Sequence, residues 1–161
     1  MHKPVEEEGN LIIAGVGGQG VILASNIVVV IADSPIAHPR FEHPSILLVL
    51  NQKAWNRFAR LSTYEDTITV IDAQLVHPGY AIPGLIALPF EQIARDELRE
   101  KIAANMVAVG ALGQLIRHIP LAVLERTVEL RSPEALRRTN REAVNRGWHL
   151  ITTSLPGQVL L

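Results

Sequence analysis

The run Leu11-Ile12-Ile13-Ala14-Gly15-Val16-Gly17-Gly18-Gln19-Gly20-Val21 decides how this chain is read. Apolar residues followed at once by glycines are the pattern of a strand buried on both faces, as in a parallel sheet. After the glycines, Val21 to Ile27 can wind as a helix. The glycines satisfy G-x-G-x-x-G between a strand and a helix, the context that gives this spacing meaning. Glycine permits positive φ and lets backbone N–H groups come close to a ligand. Unpaired N–H groups and partial positive charge at a helix start favour an anion, commonly a phosphate. Gly15, Gly17, Gly18, Gln19 and Gly20 are therefore the candidate binding residues, and Gln19 adds a side-chain amide that can donate or accept.

These residues leave three readings open. In the first, the chain binds a dinucleotide by itself, and Asp33 is the acid that holds the ribose, near its expected place ~20 residues downstream. In the second, the glycines only let a helix pack tightly on a strand. In the third, which is favoured, the turn faces a shared site at a subunit interface. Asp33-Ser34-Pro35 equally suits a turn.

Outward from this run, strands and helices alternate. Val28 to Ala32, Ser45 to Leu50 and Thr67 to Asp72 read as strands, and Gly84 to Leu88 as a short one. Gln52 to Leu61 reads as a helix with Trp55, Phe58 and Ala59 on one face, and His77 to Pro83 as a loop. From Phe90 onward helices take over: Glu91 to Glu100, Ile102 to Ile119, Pro120 to Leu130 and Ser132 to Leu150. Ile102 to Ile119 is apolar almost all round and is expected to be buried. Gly110 and Gly113 within it cost about 1 kcal/mol each relative to alanine, so close packing against a neighbour is the expected gain. The fold class is α/β, a three-layer, mostly parallel Rossmann-like sheet flanked by helices, with a helical C-terminal third. The domain reading is a flexible segment at 1–10, one α/β domain at 11–150 and a tail at 151–161. One crossover is too short. Only residues 21–27 separate Gly20 from Val28, and a parallel crossover usually takes at least ~10–12. Either the helix is cut short or a segment is missing near 26–28.

Composition narrows the function. Fifteen basic and 16 acidic residues give a formal charge of −1, so no net field holds a nucleic acid or an anionic membrane. Basic residues from Arg126 to Arg146 are interleaved with glutamates and read as a solvated helix face. There is no cysteine, which removes disulfides, thiol catalysis and the usual ligands of an iron–sulfur cluster. No apolar stretch reaches the ~20 residues of a membrane span, and the polar start is unlike a signal peptide. The expectation is a cytoplasmic protein. His2, His38, His43, His77, His118 and His149 form no metal-ligand spacing. Asp72 ends a strand, where α/β sheets place ligand-facing groups, but suits a turn equally well. Glu65-Asp66 reads as a solvated turn, and Trp55 and Trp148 as core or interface aromatics. No residue takes a catalytic role.

Three stretches carry a resemblance. Gly15-Val16-Gly17-Gly18-Gln19-Gly20-Val21 resembles the opening motif of the gamma subunit of 2-oxoacid:ferredoxin oxidoreductases, the pyruvate, 2-oxoglutarate, ketoisovalerate and indolepyruvate enzymes. Ala103-Ala104-Asn105-Met106-Val107-Ala108-Val109-Gly110-Ala111-Leu112 is similar to that family's buried helix. Asn140-Arg141-Glu142-Ala143 through Gly147 resembles its closing segment, where an asparagine starts the last helix and a glycine ends it. The resemblance implies a role in CoA-dependent oxidative decarboxylation of a 2-oxoacid. It places thiamine diphosphate and the iron–sulfur clusters in other subunits, treats coenzyme A as substrate, and implies no cofactor bound tightly by this chain. The partners it implies are alpha and beta subunits, a delta subunit as a further candidate, and ferredoxin as electron acceptor. It also implies a block, absent here, between Asn26-Ile27 and Val28, so a break in the Cα trace is expected between Asn26 and Val28. The alternatives are a free-standing NAD(P)-binding Rossmann domain of an oxidoreductase and a scaffold subunit that binds no ligand.

Overall fold

The computed structural model describes residues 8–14, 27–32, 44–116 and 119–154. The chain forms two compact units, Met1–Leu88 and Pro89–Leu161.

The first unit holds a five-stranded sheet. Its strands are β1 (Glu8–Ala14), β2 (Ile27–Ala32), β3 (Ile46–Val49), β4 (Ile68–Asp72) and β5 (Ile86–Leu88), in the order β2-β1-β3-β4-β5. β1, β3, β4 and β5 run parallel, with Ala14 opposite Val49, Val49 opposite Ile71 and Asp72 opposite Leu88. The mostly parallel sheet read from the sequence is present. All four residues of β3 are buried, as a short unbroken apolar strand requires. Leu47, Val49 and Ile71 pack with Ala54 and Trp55 of helix α1 (Gln52–Phe58) and with Val76 of the following loop. The helix continues as a 3₁₀ turn over Ala59–Thr63. β1 begins earlier than the apolar run suggests, at Glu8.

β2 departs from the sequence reading. It is not joined to β1 by a parallel crossover but runs antiparallel to it, with Glu8 opposite Ala32 and Ile13 opposite Ile27. The twelve residues at 15–26 between the two strands are at the lower limit for a parallel crossover with its helix. An antiparallel return needs only a short connection, whereas a parallel one needs a dozen or more residues. Ile27 and Val28 are successive residues of β2, opposite Ile13 and Ile12. No break separates them, and Asn26 lies outside the described residues.

The second unit is helical. Helix α2 (Phe90–Gln92) continues as a π-turn over Ile93–Glu97. It ends with Arg99 at φ 56° and with Glu100 N–H donating to the Ala94 carbonyl at 2.9 Å, a left-handed cap of the kind glycine usually fills. A 3₁₀ turn at Lys101–Ala103 leads into helix α3 (Ala104–Ile116). Helices α4 (Leu121–Arg131) and α5 (Arg137–Ser154) follow. The expected burial of α3 holds: Val107, Ala108, Gly110, Ala111, Leu112, Gly113 and Leu115 are buried.

α3 and α5 cross at glycines. A Cβ on Gly110 would overlap the Val144 carbonyl oxygen and stand 2.9 Å from the Trp148 nitrogen. A Cβ on Gly147 would overlap the Val107 carbonyl oxygen and stand 3.0 Å from the Ala111 nitrogen. Each glycine thus faces the other helix's backbone, which is the close packing expected of Gly110. Gly147 lies inside α5 and does not end it, and Asn140 lies inside the first turn. Both depart from the closing segment that the resemblance implies. Interior glycine is tolerated in α5 because backbone, not a loop, occupies the space its Cβ would need.

Candidate functional site

In open parallel sheets, ligands are bound beyond the carboxyl ends of the strands. Here those ends are level, because Ala14, Val49 and Ile71 share one register row. The chain leaves β1 at Ala14 directly into the glycine-rich run. Gly15, Gly17, Gly18, Gln19 and Gly20 themselves lie outside the described residues, as do Asp33, His2, His38, His43, His118 and the last part of the tail.

The neighbouring strand ends are held by side chains that satisfy the backbone locally. After β3, Asn51 caps α1: its Oδ1 accepts from Ala54 N–H at 2.9 Å, filling one of the orphan donors of a helix start. After β4, Asp72 is 1% exposed. Its Oδ1 accepts from the N–H groups of Gln74 at 2.8 Å and Leu75 at 3.0 Å. Of the two readings open for Asp72, its carboxylate therefore serves the turn. Gln52 then ties the two strand ends together. Its Oε1 accepts from His77 N–H at 2.7 Å and its Nε2 donates to the His77 carbonyl at 3.3 Å. This pairing of a side-chain amide with a backbone amide across 25 residues has no periodic signature, so sequence reading missed Gln52.

Beyond that clamp the loop turns at Gly79 (φ 77°) and again at Gly84 (φ 69°). Each follows a proline, the arrangement a type II turn favours. Leu75 and Tyr80 stand exposed on this loop, and the Tyr80 ring lies 6.1 Å from that of Trp55. The carboxyl edge thus presents a stiff platform: a capped helix start, a carboxylate-braced turn and two exposed apolar side chains, beside the point where the glycine-rich run begins.

The other candidates have structural roles. Trp55 is 3% exposed and belongs to the core, and Trp148 packs over Gly113. Glu65 and Asp66 form an exposed turn, and His77 and His149 are exposed. Arg126, Arg131, Arg137, Arg138, Arg141 and Arg146 are exposed along α4 and α5, as a solvated face should be. Among the described residues no three His, Cys, Asp or Glu side chains gather as a metal site. With no cysteine in the chain, the thiolates that usually hold an iron–sulfur cluster must come from elsewhere. No helix among the described residues is long and apolar enough to cross a membrane.

The described residues form a sheet unit, with the glycine-rich run following β1 in the sequence, and a helical unit. Comparison with known proteins makes the class specific. Residues 25–150 match the model of the pyruvate ferredoxin/flavodoxin oxidoreductase family, and the chain belongs to that family. It is similar to the 2-oxoglutarate synthase subunit KorC of Methanocaldococcus jannaschii, at 26% identity over 172 positions covering 86% of this chain and 91% of the relative. A subunit of the same name from Archaeoglobus fulgidus is 29% identical over 138 positions, covering 68% of this chain and 71% of the relative. The fold matches the keto/oxoacid ferredoxin oxidoreductase gamma subunit of Geobacter sulfurreducens with a TM-score of 0.76 and 24% identity, over 91% of this chain and 97% of that one. It also matches about a third (32%) of the larger 2-oxoglutarate:ferredoxin oxidoreductase chain of Magnetococcus marinus, at 21% identity and TM-score 0.74. In the Methanocaldococcus alignment, 86% of 161 residues is about 138, spread over 172 positions, so about 34 positions of the relative have no counterpart here.

Proposed function

We propose that this chain is the gamma subunit of a 2-oxoacid:ferredoxin oxidoreductase that acts on 2-oxoglutarate. It assists CoA-dependent oxidative decarboxylation and does not carry the reacting groups. The carrying observation is the near end-to-end similarity to a stand-alone 2-oxoglutarate synthase subunit, 86% of this chain against 91% of that one. The absence of cysteine supports placing the clusters in other chains. Thiamine diphosphate supplies the carbanion chemistry of such a decarboxylation, and it belongs with the alpha and beta subunits. A cytoplasmic complex of this chain with those subunits, passing electrons to ferredoxin, completes the reading.

Within that complex, Gly15, Gly17, Gly18, Gln19 and Gly20 offer backbone N–H groups to an anion, for which the phosphates of coenzyme A are the natural candidate. The missing block near 26–28 belongs to the same reading. The surplus positions in the relative support a deletion in this chain. A single-domain description of 11–150 also rests on the resemblance.

The test is affinity purification of the tagged full chain from its own cells, followed by mass spectrometry. Companion chains with thiamine-diphosphate-binding and cysteine-rich sequences are expected. Recovery of the chain alone, together with tight binding of NAD or NADP by calorimetry, would replace this reading with the free-standing Rossmann domain.

A further inference from the structure

β2 is an edge strand: among the described residues no strand lies beyond it in the order β2-β1-β3-β4-β5. Edge strands expose a row of unpaired N–H and C=O groups, and proteins usually guard them with charge, proline or a bulge. Ile27-Val28-Val29-Val30-Ile31-Ala32 has none of these guards: no charge and no proline interrupts it. Its six residues pair with six successive residues of β1, Glu8 to Ile13, without a bulge.

The sequence of this edge also has a symmetry. From Ile27 to Ile31 it reads Ile-Val-Val-Val-Ile in both directions, centred on Val29. Antiparallel pairing of two such strands about a two-fold axis sets Ile27 opposite Ile31, Val28 opposite Val30 and Val29 opposite itself. A two-fold interface must be self-complementary, because the same patch serves on both sides. A strand that adds to an unrelated chain is under no such demand.

We propose that β2 pairs with β2 of a second copy of this chain, joining two five-stranded sheets into one continuous sheet across a two-fold axis. The proposal is independent of the assignment to an oxidoreductase complex. The place of β2 at the end of the strand order creates this edge, and β-branched residues suit a central position in the enlarged sheet.

Two paired variants of the full chain test it. Positions 28 and 30 lie on the same face of the strand and oppose each other across the axis. V28K/V30K sets lysine against lysine, and V28K/V30E sets each lysine against a glutamate. Both place two charges at the same positions, so any loss of folding strikes both and is read by circular dichroism. Light scattering is expected to give a dimer for the unaltered chain, a monomer for V28K/V30K and a dimer for V28K/V30E. Without any substitution, hydrogen exchange at Ile27–Ile31 is expected to slow about tenfold or more as the protein is concentrated through the dimer midpoint. A monomer at every concentration overturns the proposal. So do a dimer in which both variants persist alike, and exchange at β2 that does not depend on concentration.

Discussion

Gly110 and Gly147 sit inside helices with another helix's backbone where a Cβ would go, whereas Gly79 and Gly84 have φ values of 77° and 69° and nothing within 4 Å of a Cβ. The first pair is demanded by neighbours far away in sequence, the second by the local path of the chain. The contrast separates two kinds of intolerance. In the helical unit a methyl group cannot be accommodated without moving a helix axis. In the sheet unit a methyl group has room, and only the dihedral resists.

The largest expected effect follows from the first pair. Gly110→Ala or Gly147→Ala drives a Cβ into backbone that cannot repack by changing rotamer, and each is expected to destabilise by at least about 3 kcal/mol, read by denaturant unfolding. Gly113→Ala sharpens the point. Its Cβ would meet the end of the flexible Leu124 side chain at 2.6 Å, and the gain in helix propensity of about 1 kcal/mol offsets much of that crowding. A Gly110→Ala protein as stable as Gly113→Ala would break the comparison.

Next in size is Asp72→Ala, which leaves two backbone donors of the turn without their carboxylate. A loss of about 2 kcal/mol is expected, and Asp72→Asn, which keeps an acceptor oxygen, should recover most of it. Gly79→Ala and Gly84→Ala should each cost about 1 kcal/mol from the left-handed conformation alone. The converse is available at Arg99, a non-glycine residue at φ 56°. Arg99→Gly should stabilise by about 0.5 kcal/mol, the relieved strain outweighing glycine's extra entropy in the unfolded chain. The smallest effect is one of pH. The hydrogen bond from Arg95, at 2.8 Å from Nε, holds the Asp96 carboxyl below its ordinary value. Its contribution is complete above the ordinary carboxylate pKa and is lost as pH falls through the lowered one. Because the pair is exposed, Asp96→Asn should change the acid unfolding curve barely at all.

How far the sequence could be read follows the same division. Short apolar runs gave away β3, β4 and β5, and the near-uniform apolarity of Ile102 to Ile119 gave away α3, because a helix with no exposed residue leaves a compositional mark. Direction of pairing leaves none: Val28 to Ile31 has the same composition in a parallel or an antiparallel strand, and only the short connection from Gly20 hints at the reversal. Gly147 misled because a glycine near a helix end usually caps it, while the backbone it admits lies in a different helix. At the candidate site, the glycine-rich run was chosen because anion-binding physics is local, and it lies outside the described residues. The Gln52 clamp on His77 was not legible, since a hydrogen bond between distant segments imposes no spacing.

On the function proposed above, the reacting atoms belong to other chains. The direct measurement is 2-oxoglutarate- and CoA-dependent reduction of ferredoxin by three preparations: this chain alone, the companion subunits alone, and the two combined. The expected result is no turnover by this chain alone and full turnover only in the combination. Turnover of 2-oxoglutarate or of a nicotinamide substrate by the purified chain alone would contradict it.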